Sequence, residues 1–203
     1  MSADPHFERL VRALGRLPTV GRRSADRMAV RLLGHKADLL EPLVEALQIA
    51  AKQVQTCTDC GNLTDADHET CSICRDPNRQ GAFLCVVQDV LELRLMEQSG
   101  GFQGRYFCLG GKVSPRSGQS IDPERLDALV ARIRRDGVSE VLLALDSDVE
   151  SDATAAYVQE MLAGHPVQCS RLAWGLPAGS GVGYSDPVTL ARAVRGRQDL
   201  AGG

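Results

Sequence analysis

Four of the seven cysteines stand as Cys57-Thr-Asp-Cys60 and, ten residues later, Cys71-Ser-Ile-Cys74. Two C-x-x-C knuckles at that separation bring four thiolates within reach of one tetrahedral ion. Zinc suits the set best: four sulfurs at about 2.3 Å close the coordination sphere and leave no position open for catalysis. Two disulfides, or one redox-active C-x-x-C, would use the same residues. Disulfides belong to oxidising compartments, and Met1-Ser-Ala-Asp-Pro-His-Phe-Glu8 lacks the basic-then-apolar layout of a secretory leader. A redox pair needs one knuckle in a thioredoxin-like setting, not two. The expected cofactor is therefore structural zinc on Cys57, Cys60, Cys71 and Cys74, and the expected location is the cytoplasm. Cys85, Cys108 and Cys169 each lie in an apolar, strand-like run and read as small core residues.

A second group with chemical capacity is basic. The 203-residue chain has a net charge of only −3, but residues 1–36 carry eight Arg or Lys against three acidic residues. Such a segment on an otherwise acidic protein is a candidate phosphate footprint; the plainer alternative is a solvated helical face. Hydrophobic content of 43% and charged content of 24% are ordinary for a globular chain. No apolar run approaches the ~18 residues of a membrane span, so no membrane association is expected.

The elements that must position these groups follow from periodicity. Phe7, Leu10, Val11 and Leu14 recur at the helical period and predict a first helix, ended by Gly15 and Pro18. A second helix carries Ala25, Met28, Ala29, Leu32 and Leu33 as its apolar stripe, with Ser24 as candidate N-cap. Arg23, Arg27 and Arg31, at i, i+4 and i+8, form a separate stripe, and Arg22 adjoins it. A tight turn between two helices leaves amides at the second helix's start free for a phosphate, which flanking arginines would reinforce. Leu17-Pro-Thr-Val-Gly21 resembles the helix-hairpin-helix core Leu-Pro-Gly-hydrophobic-Gly, with Thr19 where the first glycine is usual. Some such motifs serve only to pack helices or form dimers. A third helix is expected from Asp38, as cap, towards Val54, with Pro42 in its first turn and Leu40, Leu43, Val44, Leu47, Ala51 and Val54 on one face.

After the knuckles, strand and helix alternate. Ala82–Val87 reads as a buried strand, and Tyr106–Leu109, Glu140–Leu145 and Val167–Leu172 as three further strands. Helices between them carry Leu91, Leu95 and Met96; then Leu126, Leu129, Val130 and Ile133; then Ala153, Ala156, Tyr157, Met161 and Leu162. This alternation implies a parallel sheet covered on both faces, with ligands at the carboxyl ends of the strands. Gln88 follows the first strand there, with Glu92 on the next helix; Asp146, Asp148 and Glu150 follow the third. The layout resembles the TOPRIM domain, in which a glutamate after the first strand and an Asp-x-Asp after the third hold magnesium for phosphoryl transfer. Gln88 replaces that glutamate, and a neutral amide is a poor magnesium ligand and no general base. Gly110-Gly-Lys-Val-Ser114 lacks the full phosphate-loop pattern and reads as a turn.

The order of parts resembles the RecR family of bacterial recombination mediators nearly end to end. The match includes Leu17-Pro-x-Val-Gly21 with Ser24-Ala25, both knuckles, Asp76 with Arg79, and Cys85-Val-Val87. It continues with Leu109-x-Gly111, Ser114-Pro115, Glu140-Val141, Glu150 and Ala153-Thr154, then Arg171-x-Ala173-x-Gly175-x-Pro177 and Asp186-x-x-Thr189-Leu190. Departures are Thr19, Gln88, Asp152, and Asp146-Ser-Asp148 where the family commonly has Asn-Pro-Thr.

The resemblance implies a helix-hairpin-helix domain over 1–55, a four-cysteine zinc finger over 56–80, a Rossmann-like TOPRIM domain over 81–173 and a C-terminal oligomerisation segment over 174–203. It implies no enzymatic activity. It further implies a ring-shaped tetramer that binds single- and double-stranded DNA through Arg22, Arg23, Arg27 and Arg31. Such a ring acts with RecO and RecF to load RecA onto DNA coated by single-strand-binding protein. The acidic edge of Gln88, Glu92, Asp146, Asp148 and Glu150 would dock partner proteins. Two rivals use the same residues: a magnesium-dependent TOPRIM nuclease on Asp146 and Asp148, and a zinc scaffold that binds only proteins.

Overall fold

Proline at the first helical position, with an aspartate before it, starts three of the helices in the computed structural model, which describes residues 4–114, 116, 118, 120–173, 176, 179 and 181–197. Pro115, Gly175 and Pro177, which carry part of the family pattern, lie outside the described residues. The chain forms two compact units, 1–55 with 65–67, and 56–64 with 68–203.

In the first unit, α1 spans Pro5–Leu14, and the Asp4 carboxylate accepts from the amides of His6 and Phe7. Helix α2 spans Arg22–Gly34, three residues earlier than a Ser24 cap would allow. Gly21, in extended conformation, is its N-cap and makes no side-chain bond; Ser24 sits within the first turn. The two helices meet through Val11, Ala25 and Ala29, with Phe7, Leu10, Leu14 and Val20 around them. Small alanines let the helices approach closely. The rest of the expected α2 stripe is less covered: Leu32 is half-buried, and Met28 and Leu33 are exposed.

The start expected at Asp38 is also displaced. A π-helical turn, Lys36–Leu40, leads into α3, Glu41–Gln53, so the chain is already helical at Asp38. The His35 carbonyl accepts from both Leu39 and Leu40, and no capping side chain is used. No residue of α3 is buried; its apolar stripe, including Leu43, Val44 and Leu47, faces outward.

A hairpin, β1 (Val54–Thr56) and β2 (Leu63–Asp65), opens the cysteine region, which continues into the short α4, Ser72–Arg75. In the second unit there follow β3 (Gln80–Val87), α5 (Val90–Ser99), β4 (Gly104–Cys108), α6 (Pro123–Asp136), β5 (Glu140–Ala144), α7 (Val149–Leu162), β6 (Gln168–Arg171) and α8 (Pro187–Arg195). The four strands from β3 onward make one parallel sheet of order β4-β3-β5-β6. Register sets Cys85 between Tyr106 and Leu142.

Period-two alternation divides this core in two. Leu84, Val86, Phe107, Leu109, Val141 and Leu143 meet α6 and α7 through Leu126, Leu129, Ile133, Val158 and Leu162. Cys85, Val87, Tyr106, Cys108 and Ala144 face the other way, against Leu93 of α5 and Ile73 of the second knuckle. The helix expected after the first strand is present, but its buried residue is Leu93. Leu91 is 68% exposed and Leu95 67%. Asp89 caps α5 through the amides of Leu91 and Glu92, and that start rotates Leu93 rather than its neighbours onto the sheet.

Candidate metal centre, arginine face and acidic edge

The four knuckle cysteines are all buried, and their sulfurs lie within 4.8 Å of one another. No other group of three or more His, Cys, Asp and Glu among the described residues meets that geometry. The knuckles hold their shape by backbone bonds: Cys57 N–H donates to the Asn62 carbonyl at 2.6 Å, and Gly61 N–H to the Cys57 carbonyl at 2.9 Å. Amides also point at sulfur. Asn62 N–H donates to Cys60 Sγ at 3.4 Å and Cys71 N–H to Cys57 Sγ at 3.2 Å, as knuckle turns do for thiolates. Crowding couples the thiols. Hydrogen bonds from Cys60, then Cys71 and Cys74, push Cys57 down, while the bond to Cys57 pushes Cys60 up. Four such sulfurs, closed off from solvent, suit a structural tetrahedral cation.

The cysteine region is built into the α/β unit. Cys108 N–H, at the end of β4, donates to the Cys60 carbonyl at 2.8 Å. Just beyond the second knuckle, Arg79 makes a bidentate pair with Glu97 of α5 at 2.6 and 2.7 Å and reaches the Gly104 carbonyl. That pair raises Arg79 and lowers Glu97, so the link stays charged at neutral pH.

On α2, Arg23, Arg27 and Arg31 are exposed and make no ion pair or side-chain hydrogen bond with another described residue. Arg22 is committed, to Glu8 at 2.9 Å and Asp26 at 3.5 Å. The preceding turn closes by Val20 N–H to the Leu17 carbonyl at 3.2 Å, with proline second and a positive φ of 65° at Thr19 third. That is the pattern of a type II turn, whose third place favours glycine. The first-turn amides of α2 have no side-chain cap.

At the carboxyl edge of the sheet, Gln88 follows β3, and Asp146 and Asp148 follow the adjacent β5. The backbone N–H of Gln88 donates to the Glu92 carboxylate, whose pKa burial pushes up. Asp148 caps α7 through Ser151 N–H at 2.7 Å. Its pKa is lowered to about 2, first by that backbone bond and then by Lys112. Lys112, in the turn that lacks the full phosphate-loop pattern, puts its ammonium 2.8 Å from Asp146 and 2.9 Å from Asp148. It is held there because Val113 N–H donates to the buried Thr154 hydroxyl and Ser114 to Glu150, both on α7. An intramolecular cation thus occupies the carboxylates on which a TOPRIM enzyme would hold magnesium. Only its place after a strand could have drawn attention to Lys112.

Segment 7–51 matches the family described as RecR, helix-hairpin-helix; 82–173 matches Toprim domain; and 175–198 matches RecR, C-terminal. The curated Recombination protein RecR of Phenylobacterium zucineum is 45% identical over 197 residues, which cover 97% of this chain and 98% of the relative. Its counterpart from Maricaulis maris is 43% identical over 199 residues, 98% of each chain. The chain belongs to the RecR family. Its Sphingopyxis alaskensis relative, 41% identical over 194 residues, covers 96% of this chain and 97% of its own length. These RecR relatives are named for recombination and not for an enzymatic reaction. Among the described residues, no helix is long and apolar enough to cross a membrane.

Proposed function

We propose that this RecR-family chain is a non-enzymatic, DNA-binding mediator of recombinational repair. The observation that carries the reading is the row of Arg23, Arg27 and Arg31 on α2, exposed and without anionic partners among the described residues, inside the matched helix-hairpin-helix segment. Guanidinium groups without acidic neighbours are available for phosphates, and contacts of that kind are sequence-independent and salt-sensitive. Single- and double-stranded DNA both offer them. Arg22 contributes less, because Glu8 and Asp26 already hold it.

Zinc on Cys57, Cys60, Cys71 and Cys74 is structural in this reading. Family membership supports a ring-shaped tetramer working with RecO and RecF to load RecA onto DNA coated by single-strand-binding protein. The uncovered apolar stripe of α3 supports self-association, since an isolated chain leaves it in water. The acidic edge of Gln88, Glu92, Asp146, Asp148 and Glu150 is the proposed docking surface for partner proteins. The proposed parts are 1–55, 56–80, 81–173 and 174–203.

Retention of labelled DNA tests the reading. Replacing Arg23 and Arg27 together by alanine should weaken binding and lower the slope of log K against log salt by about 1.4–1.8, at roughly 0.7–0.9 for each phosphate no longer neutralised. Unchanged retention would leave a scaffold that binds only proteins. Labelled strands should stay intact with Mg²⁺ or Mn²⁺; cleavage that disappears in Asp146→Ala would reinstate the nuclease.

A further inference from the structure

Two guanidinium groups face the cysteines with too little negative charge to balance them. Arg132, on α6, is 2% exposed. Its Nη2 donates to Cys74 Sγ at 3.5 Å and its Nε to Asp136 at 3.2 Å, while Nη1 is buried without a partner among the described residues. Two turns earlier on the same helix face, Arg125 lies 3.9 Å from the centre of the Phe107 ring. It donates Nε to the Cys108 carbonyl at 2.7 Å and keeps a buried Nη2 with no partner among the described residues. The first knuckle makes room for it. A Cβ on Gly61, whose φ is +80°, would lie 2.6 Å from that Nη2.

The nearby carboxylates do not supply the missing charge. Asp136 is shared among Arg132, Arg105 at 3.5 Å and Arg135 at 2.8 Å. Asp59 is taken by Arg135 at 2.8 Å. One buried and one half-buried cation beside four neutral thiols would be strongly unfavourable, because a charge taken out of water is stable only where an opposite charge offsets it. A divalent ion on four thiolates carries a formal charge of −2, which matches two guanidinium groups.

Resting on the metal reading above, we propose that Arg132 and Arg125 are the built-in counter-charge of a doubly negative metal–tetrathiolate centre. Arg132 is the positioning residue: its hydrogen bond to Cys74 holds the second knuckle against α6 and quiets that sulfur. A thiolate that accepts a bond from a guanidinium has less electron density for an incoming electrophile, and outer-shell partners of this kind govern how firmly a site keeps its metal.

The test uses the full chain as wild type, R132M, R132K and R132Q, with bound zinc measured first. R132M removes charge and donor; R132K keeps the charge; R132Q keeps a donor without charge. Zinc transfer to a coloured chelator is then followed with N-ethylmaleimide present. R132M should release zinc about tenfold faster than wild type, the lower end of what outer-shell losses cost a metal site. R132K and R132Q should fall between them. A merely structural role would not move the second readout. In cobalt-substituted protein the thiolate-to-cobalt absorption should shift to lower energy in R132M, because the lost bond raises the sulfur donor level. Wild-type release and an unshifted band in R132M would overturn the proposal while leaving the metal reading intact. Metal-free wild type would overturn both. Should R132M not fold, R132K and R132Q decide, and wild-type behaviour in both refutes it.

Discussion

Thr19 is where backbone and side chain disagree. Its φ of 65° is the one positive value at a non-glycine among the described residues. A β-branched residue there costs about 1 kcal/mol, and glycine would return part of that gain through its freer unfolded chain. Thr19→Gly should therefore stabilise the helical unit by roughly 0.5 kcal/mol, read as a higher urea midpoint at constant slope; Thr19→Val should gain nothing. A midpoint lowered by glycine would mean the threonine makes compensating contacts. Lys112 makes a second single-residue case. Its side chain is 13% exposed while Asp146 and Asp148 are 61% and 51% exposed, so its hold on them is screened by water. Removing that ammonium in Lys112→Ala should tighten Mn²⁺ binding by roughly tenfold in a paramagnetic titration, and Asp146→Asn added to it should abolish the gain. Asp148 also sets a pH response. Its folded pKa of about 2 lies below the ordinary 3.8, so its contribution is present above about pH 4 and lost as pH falls towards 2. Asp148→Asn should flatten the acid limb of the unfolding curve across that window.

At the scale of elements, Leu91 and Leu93 show what periodicity can and cannot decide. Apolar residues after the first strand predicted the helix, and α5 is there. Which face is buried depends on where the Asp89 cap starts the helix, and that start turns Leu93 inward. Leu93→Ala should cost about 2–5 kcal/mol of unfolding free energy and Leu91→Ala less than about 0.5, a difference that thermal melts resolve. Local signals with fixed spacing were legible from residues alone: four strands and two cysteine knuckles. The displaced starts of α2 and α3 were not. At Gly21 an extended backbone does the capping without a side chain, and at Asp38 a π turn makes a cap unnecessary. Among site residues, the arginines of α2 could be found by their i, i+4 row. Arg125 and Arg132 could have been flagged, because they share a helix face with Leu129, where a solvated arginine does not belong. Lys112 pairs with carboxylates 34 and 36 positions away, and no local pattern announces that.

For the molecule as a whole, the position of the cysteines within the α/β unit decides what metal loss does. Cys57, Cys60, Cys71 and Cys74 belong to the same compact unit as the parallel sheet. Ile73 is packed on the α5 face of that sheet, and the Cys60 carbonyl accepts from the last residue of β4. A metal there contributes its binding energy to the folding of this unit, since no preformed site exists in the unfolded chain. Withdrawing it leaves crowded sulfurs, and the buried Arg132 and half-buried Arg125 without balance, so the layer on Cys108, Tyr106 and Leu93 should open first. The α1–α2 contact, built on Val11, Ala25 and Ala29, contains none of these groups. Chelation of the metal, or Cys71→Ser, should therefore raise amide exchange in β4, in α4 and at the start of β3. Exchange in α1 and α2 should stay as it was. Equal protection in both units with and without chelator would mean that the cysteines hold nothing the fold requires; faster exchange confined to α1 and α2 would move the metal's structural role to the other unit.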